Sequence, residues 1–162
     1  MKPDEVIALL KQAKVEEALK ALPTVEDKKE MAVKLTEFAG ALNYVKDLPD
    51  LCELLLMKSL LLYYDWAPTH YNLGVVYTSF AKLLENEQLN IAKGEEAYMK
   101  ALKIDPGYHE ARYNLALLYY FTGRIDEARR EYARITDAVG EDERFVQLGV
   151  LLENHDRLHG ES

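Results

Sequence analysis

The chain has 162 residues, 49% hydrophobic and 30% charged, which is the composition of one ordinary folded domain. Twenty Lys and Arg stand against twenty-eight Asp and Glu, for a net charge of −8. That balance argues against a dedicated nucleic-acid binder, whose affinity comes from neutralising phosphates, and against an anionic membrane surface. The segment Met1-Lys2-Pro3-Asp4-Glu5 opens no secretory signal. The longest apolar region, Leu51 to Tyr64, carries Glu53 and Lys58 and is too short to span a bilayer. The single cysteine, Cys52, closes no internal disulfide and suits a reducing compartment, so a cytoplasmic protein is expected.

In chain order, every readable element is a helix. Apolar residues recur three and four apart, while sustained alternation and Asn-Gly or Asp-Gly hairpin signals are missing. Breaks fall at Pro23, Pro49, Pro68, Pro106-Gly107, Gly123 and Gly140. Residues 1–32 read as N-terminal helices, with Pro3 in a first turn and Thr24 with Asp27 as the cap and start of the next helix. The stretch Leu54 to Leu62 is apolar around most of its circumference, which predicts burial on nearly all sides. Its cover would be neighbouring helices in a monomer, or else a homodimer seam. Pro68 opens a further helix, and His109 begins another.

Two of these helices are the same segment written twice. One is His70-Tyr71-Asn72-Leu73-Gly74-Val75-Val76-Tyr77, the other Arg112-Tyr113-Asn114-Leu115-Ala116-Leu117-Leu118-Tyr119. Each precedes a helix with a spaced trio, Gly94/Tyr98/Ala101 and Ala128/Tyr132/Ile135. Pro106 closes the first copy, and Gly123 marks the turn inside the second.

This pattern resembles the tetratricopeptide repeat, a 34-residue helix–turn–helix unit. Its first-helix marks fall on His70, Leu73, Gly74 and Tyr77, and again on Arg112, Leu115, Ala116 and Tyr119. The second-helix marks fall on Gly94, Tyr98, Ala101 and Pro106, while the later copy departs at Ile135 and Gly140. One period earlier, Gly40 takes the small first-helix position and Cys52, Leu56 and Ser59 take the trio, but Ala39 and Asn43 replace the leucine and tyrosine. The resemblance implies an all-α solenoid of stacked antiparallel helix pairs, a right-handed superhelix forming a single domain. Its parts are a degenerate first repeat at 33–66, a second at 67–108, a third at 109–141 and a terminal capping helix at 142–159. Ala18 and Leu22 are in register within the N-terminal helices. The second repeat holds an insertion around Ala81 to Ala92. Small residues such as Gly74 and Gly94 are expected where two helices must touch.

The chemistry-bearing residues have plainer structural explanations. Cys52 and Ser59 sit on small packing positions, His70 on a bulky one, and neither Ser79 nor the terminal Ser162 has an obvious base. His155 and His159 share a helix face, but two ligands without a third make no metal site. The expectation is a non-catalytic protein with no cofactor and no metal. A small metal protein or enzyme is the alternative from another class.

The resemblance further implies a concave groove that holds a peptide or helix of another protein. Its positions fall on Tyr71, Asn72 and Val75, with Thr78 and Ser79 beyond them, and on Tyr113, Asn114, Leu117, Tyr120 and Phe121. In the first repeat they fall on Glu37, Phe38, Ala41, Tyr44 and Val45. Asn72 and Asn114 would each bond a peptide backbone, and the aromatic residues would anchor its side chains. Otherwise these residues are simply what the repeat carries, with the stripe covered by the terminal helix. Chaperone-binding members of the family grip a terminal carboxylate with lysine and asparagine in the first unit and basic residues in the third. Here Glu37, Ala41, Glu110 and Asn114 hold those places and only Asn72 matches, which argues against an acidic tail as ligand. The architecture also resembles that of bacterial secretion chaperones, so a dedicated chaperone for an apolar client segment stands beside the adaptor or scaffold reading. All seven arginines lie at or after Arg112 and all thirteen lysines at or before Lys103, a segregation without a physical account.

Overall fold

The computed structural model describes residues 1–46 and 48–160, so Ser162 lies outside the described residues. Helices α1 (Pro3–Lys11) and α2 (Val15–Ala21) lead through a 3-10 turn (Leu22–Thr24) into α3 (Lys28–Lys46) and α4 (Pro49–Leu62). Then come α5 (Ala67–Tyr77), α6 (Phe80–Glu85), α7 (Glu87–Ile104), α8 (His109–Phe121), α9 (Ile125–Val139) and α10 (Val146–His159). No strand occurs among the described residues. The main pairings are α3 with α4, α5 with α7, and α8 with α9, stacked through α4–α5 and α7–α8 contacts, which makes the chain an all-α solenoid.

Helix starts follow local chemistry. Pro3 and Pro49 stand first in their helices and Pro68 second, where a missing N–H leaves nothing unbonded. Asp27 Oδ1 accepts from the Glu30 N–H at 2.9 Å and so caps α3, whereas Thr24 instead donates to the Ala21 carbonyl at 2.8 Å. The insertion forms a separate short helix, α6, because Asn86 ends it and caps α7, accepting from the Leu89 N–H at 3.1 Å.

The turn between α1 and α2 repeats the turn between α8 and α9. Lys14 N–H reaches the Leu9 carbonyl at 2.9 Å, and Arg124 N–H reaches the Tyr119 carbonyl at 2.8 Å. The left-handed position is Ala13 in one (φ 61°) and Gly123 in the other (φ 80°). An alanine Cβ crowds its own carbonyl there. Ala13→Gly is therefore expected to stabilise by about 0.5–1 kcal/mol and Gly123→Ala to destabilise by a similar amount, measured by urea melts.

Where α3, α4 and α5 meet, the core is polar and closed. The Thr36 hydroxyl lies 2.9 Å from that of Ser59 and 2.7 Å from that of Thr69, and Ser59 donates to the Ala32 carbonyl at 2.8 Å. All three side chains are buried, so each hydroxyl depends on the others. Beside them His70 is 2% exposed, its ring edge-on to Tyr64, with Nε2 3.0 Å from the Tyr64 carbonyl. Burial holds its pKa below the ordinary 6.5, aided by Lys100 and opposed by the carbonyl and Asp65. The unfolded chain thus binds the proton more readily. His70 contributes stability that is present above pH 6.5 and lost as pH falls from there through its folded pKa. Urea melts just below pH 6.5 should show this loss in the parent and a smaller one in His70→Gln.

Buried apolar residues form two clusters, one from α1 to α7 and a second from Tyr98 through α8 and α9 to Leu148 and Leu152 of α10. The expected all-round burial of Leu54 to Leu62 does not hold. Cys52, Leu55, Leu56 and Ser59 are fully buried, but Leu54, Met57 and Leu61 are 40%, 46% and 80% exposed. The reason is that α4 packs mainly on α3 and α5, which leaves its other face bare.

A tether unseen in the sequence joins successive helix pairs. Tyr77 donates to Glu53 at 3.1 Å, and Lys82 meets the same carboxylate at 2.8 Å. Forty-two residues on, Tyr119 donates to Glu95 at 3.3 Å and Arg124 meets that carboxylate at 2.7 Å. Each tyrosine comes from one pair and each glutamate from the pair before. Burial, with the adjoining carboxylate, pushes both phenols up to about 12, so they remain donors at neutral pH.

Candidate functional site

The contact at the centre of the stack sets the geometry. A Cβ on Gly74 would lie 2.4 Å from Cε1 of Tyr98, so only glycine lets α5 and α7 close over this ring. Tyr98 is 2% exposed, its hydroxyl lies 3.1 Å from Thr78 Oγ1, and burial pushes its pKa upward. Tyr71 packs beside it at 6.2 Å and against Tyr108 at 5.1 Å. Asn114 Nδ2 then donates to the Tyr71 hydroxyl at 3.3 Å. The helices α5, α7 and α8 are thereby held in one relative position.

Over this platform a cavity of about 460 Å³ opens between α3, α5, α6 and α8. Val75, Leu83, Leu117 and Phe121 give it apolar walls, and no charged side chain lines it. Asn43 Oδ1 and Ser79 Oγ are buried on its lining, and neither has a hydrogen-bond partner among the described residues. An acceptor and a hydroxyl thus lie unsatisfied just beneath an apolar wall, and both would gain from a ligand that reaches them with an N–H donor beside an apolar side chain. Phe121 is 72% exposed, as are Phe80 (77%) and Tyr44 (92%), which neighbour the lining residues Ser79 and Asn43 in the chain.

Six of the residues expected in a groove line this cavity: Val75, Thr78, Ser79, Asn114, Leu117 and Phe121. Tyr71, Asn72, Tyr113 and Tyr120 do not, nor do the first-repeat positions Glu37, Phe38, Ala41, Tyr44 and Val45. Asn72 donates Nδ2 to the Pro68 carbonyl at 2.8 Å, and its Oδ1 sits 2.8 Å from where a Cβ of Gly40 would be. Asn72 is therefore a close packing contact between α3 and α5. Tyr71 belongs to the aromatic platform. Tyr113 lies against Phe145 at 5.1 Å, and Tyr120 lies edge-on to Phe121 at 5.3 Å and near His155 at 6.4 Å. The C-terminal segment thus covers part of the aromatic stripe and leaves Phe121 open.

Sequence reasoning missed Asn43 and Leu83 as lining residues. Asn43 stood where the repeat carries tyrosine, and that departure was the available signal. Leu83 lies in the insertion, where no register applies. His155 and His159 stack at 4.2 Å, and no group of three metal-ligating side chains occurs among the described residues. No described helix is long and apolar enough to cross a membrane.

Residues 83–149 match the family profile described as tetratricopeptide repeat. Three solved structures share the fold. The TPR domain of Arabidopsis OM64 is 16% identical with a TM-score of 0.65, covering 79% of this chain and 98% of that one. Pseudomonas aeruginosa pilF is 18% identical with a TM-score of 0.63, covering 98% of this chain and 68% of its own. TTC0263, a thermophilic TPR protein of Thermus thermophilus, is 24% identical with a TM-score of 0.54, covering 92% and 76%. No curated protein matches by sequence. Repeating helix pairs, glycine-mediated closure and the profile match together define a helical-repeat fold. Residues 83–149 thus match the tetratricopeptide repeat, and the chain as a whole shares its fold with tetratricopeptide repeat proteins.

Proposed function

We propose that the protein is a non-catalytic adaptor that holds a peptide or helical segment of a partner protein in the cavity between α3, α5, α6 and α8. The tetratricopeptide fold supports a protein-interaction role in general. The observation that carries the finer reading is the pair of buried, unpartnered polar atoms on an apolar wall, Asn43 Oδ1 and Ser79 Oγ. A backbone N–H of the bound segment would satisfy Asn43, while an apolar side chain settles between Val75, Leu117 and Phe121. The lone buried thiol, Cys52, suits a reducing compartment such as the cytoplasm. Peptides selected from a displayed library on the native chain test this reading. Their affinity should fall at least about tenfold for Asn43→Ala/Phe121→Ala, with the fold intact by circular dichroism. Salt should change it little, because the lining carries no charge. Equal affinity for the two proteins would move the binding surface elsewhere.

A further inference from the structure

We propose that the protein has a second interaction surface, on the outer faces of α4 and α7, which takes an amphipathic helix bearing carboxylates beside its apolar seam. The exposed apolar residues of α4 and its end are Leu54, Met57, Leu61 and Tyr64, spaced three, four and three apart. That spacing puts Leu54, Met57 and Leu61 on one stripe of α4, the pattern of a seam awaiting another helix, and Tyr64 follows just past the helix end. Across from the stripe, Met99 of α7 is 52% exposed. Between the two helices lies a cleft of about 330 Å³, floored by Leu60, Leu73 and Ala97 and sharing no lining residue with the cavity described above.

The rim of this cleft gives the partner its charge. Lys93 lies over the Tyr77 ring at 5.4 Å, and Lys100 pairs with Glu96 at 3.1 Å. Lys103 lines the adjoining hollows with Lys100, Met99 and Tyr64. Neither Lys93 nor Lys103 has an ion-pair partner among the described residues. The rim carboxylates are Glu96, Asp65 and Glu95, and Glu95 is held by Arg124. On a chain of net charge −8, this apolar strip is bordered by two lysines without an ion pair against one such carboxylate, Asp65, among the described residues. A carboxylate on the incoming helix completes them, whereas two copies packed face to face would bring the same lysines together.

Two synthetic helical peptides test the proposal. Both carry leucines at three- and four-residue spacing, one flanked by glutamates and the other by lysines, and their binding to the full chain is read by fluorescence anisotropy. The glutamate peptide should bind at least about tenfold more tightly than the lysine peptide and weaken as salt rises. Leu61→Glu, at a site 80% exposed, should weaken it about tenfold without unfolding, and Lys93→Glu/Lys103→Glu should do likewise. Met99→Glu serves as a second apolar-strip variant should Leu61→Glu misfold. Phe121→Asp, in the other cavity, should leave the binding unchanged. No binding of the glutamate peptide, equal binding of both, or loss of binding in Phe121→Asp alone would overturn the proposal. So would a dimer in sedimentation that Leu61→Glu dissociates, since the occupant would then be a second copy.

Discussion

Tyr98→Ala is expected to destabilise the protein by about 3–5 kcal/mol, the range for removing a fully buried aromatic ring. The ring is 2% exposed, sits directly on Gly74, and its hydroxyl is the partner of Thr78. Its removal opens a void at the one point where α5, α7 and α8 are locked together. For a domain of this size that lowers the melting temperature by roughly 6–20 °C. Gly74→Leu attacks the same contact from the other side. A leucine must displace ring atoms 2.4–2.8 Å from its own Cβ, and overpacking of this kind costs about 1–3 kcal/mol or more. The two changes should not add. In the Tyr98→Ala background the leucine enters the vacated space, so the double variant should be more stable than the sum of the singles predicts. Additive losses in thermal or urea melts would mean that Gly74 and Tyr98 do not share one contact.

Lys82→Ala is expected to cost about 1.5–3 kcal/mol, the scale for hydrogen bonds to charged groups. Its ammonium lies 2.7 Å from Asp50, 2.8 Å from Glu53 and 3.5 Å from Glu85, and its side chain is 9% exposed. Burial alone would lower its pKa, yet the hydrogen bonds it donates to Asp50 and Glu53 outweigh that and raise it, so the amine is charged. Asp50 and Glu85 are exposed and return to water without it. Glu53, 26% exposed and already bonded by Tyr77, does not. Most of the loss should therefore come from the stranded Glu53 carboxylate, and adding Glu53→Gln should recover a good part of it. The loss should also reach α6, because Asn90 holds the Lys82 carbonyl at 2.7 Å and Leu83 walls the cavity. Faster amide exchange in residues 80–85 of Lys82→Ala would show that release. No recovery in the double variant would place the cost in packing rather than charge.

The lining of the candidate cavity was about half legible. Val75, Leu117 and Phe121 could be read because their places follow from helical period within α5 and α8. Asn72 and Asn114 occupy matching positions in the duplicated segment, yet their surroundings differ. Asn72 faces Gly40 across a tight helix contact, while Asn114 meets the Tyr71 hydroxyl. Identical local sequence cannot report that difference, since it arises in the neighbouring pair.

The all-α class, the duplicated helix pair and the small residues on which the helices close can all be read from the chain alone. Periodicity and turn residues act over a few turns of chain, and the repeated segment shows itself when the chain is laid against itself 42 residues on. Three features belong to the folded arrangement instead: which face of α4 stays bare, why Tyr77 and Tyr119 each find a glutamate of the preceding pair, and how Asn43 comes to line a cavity with Leu83. Those outcomes depend on how one helix pair is rotated against the next. That rotation is set jointly by every side chain at the junction, and those side chains come from segments far apart in the chain.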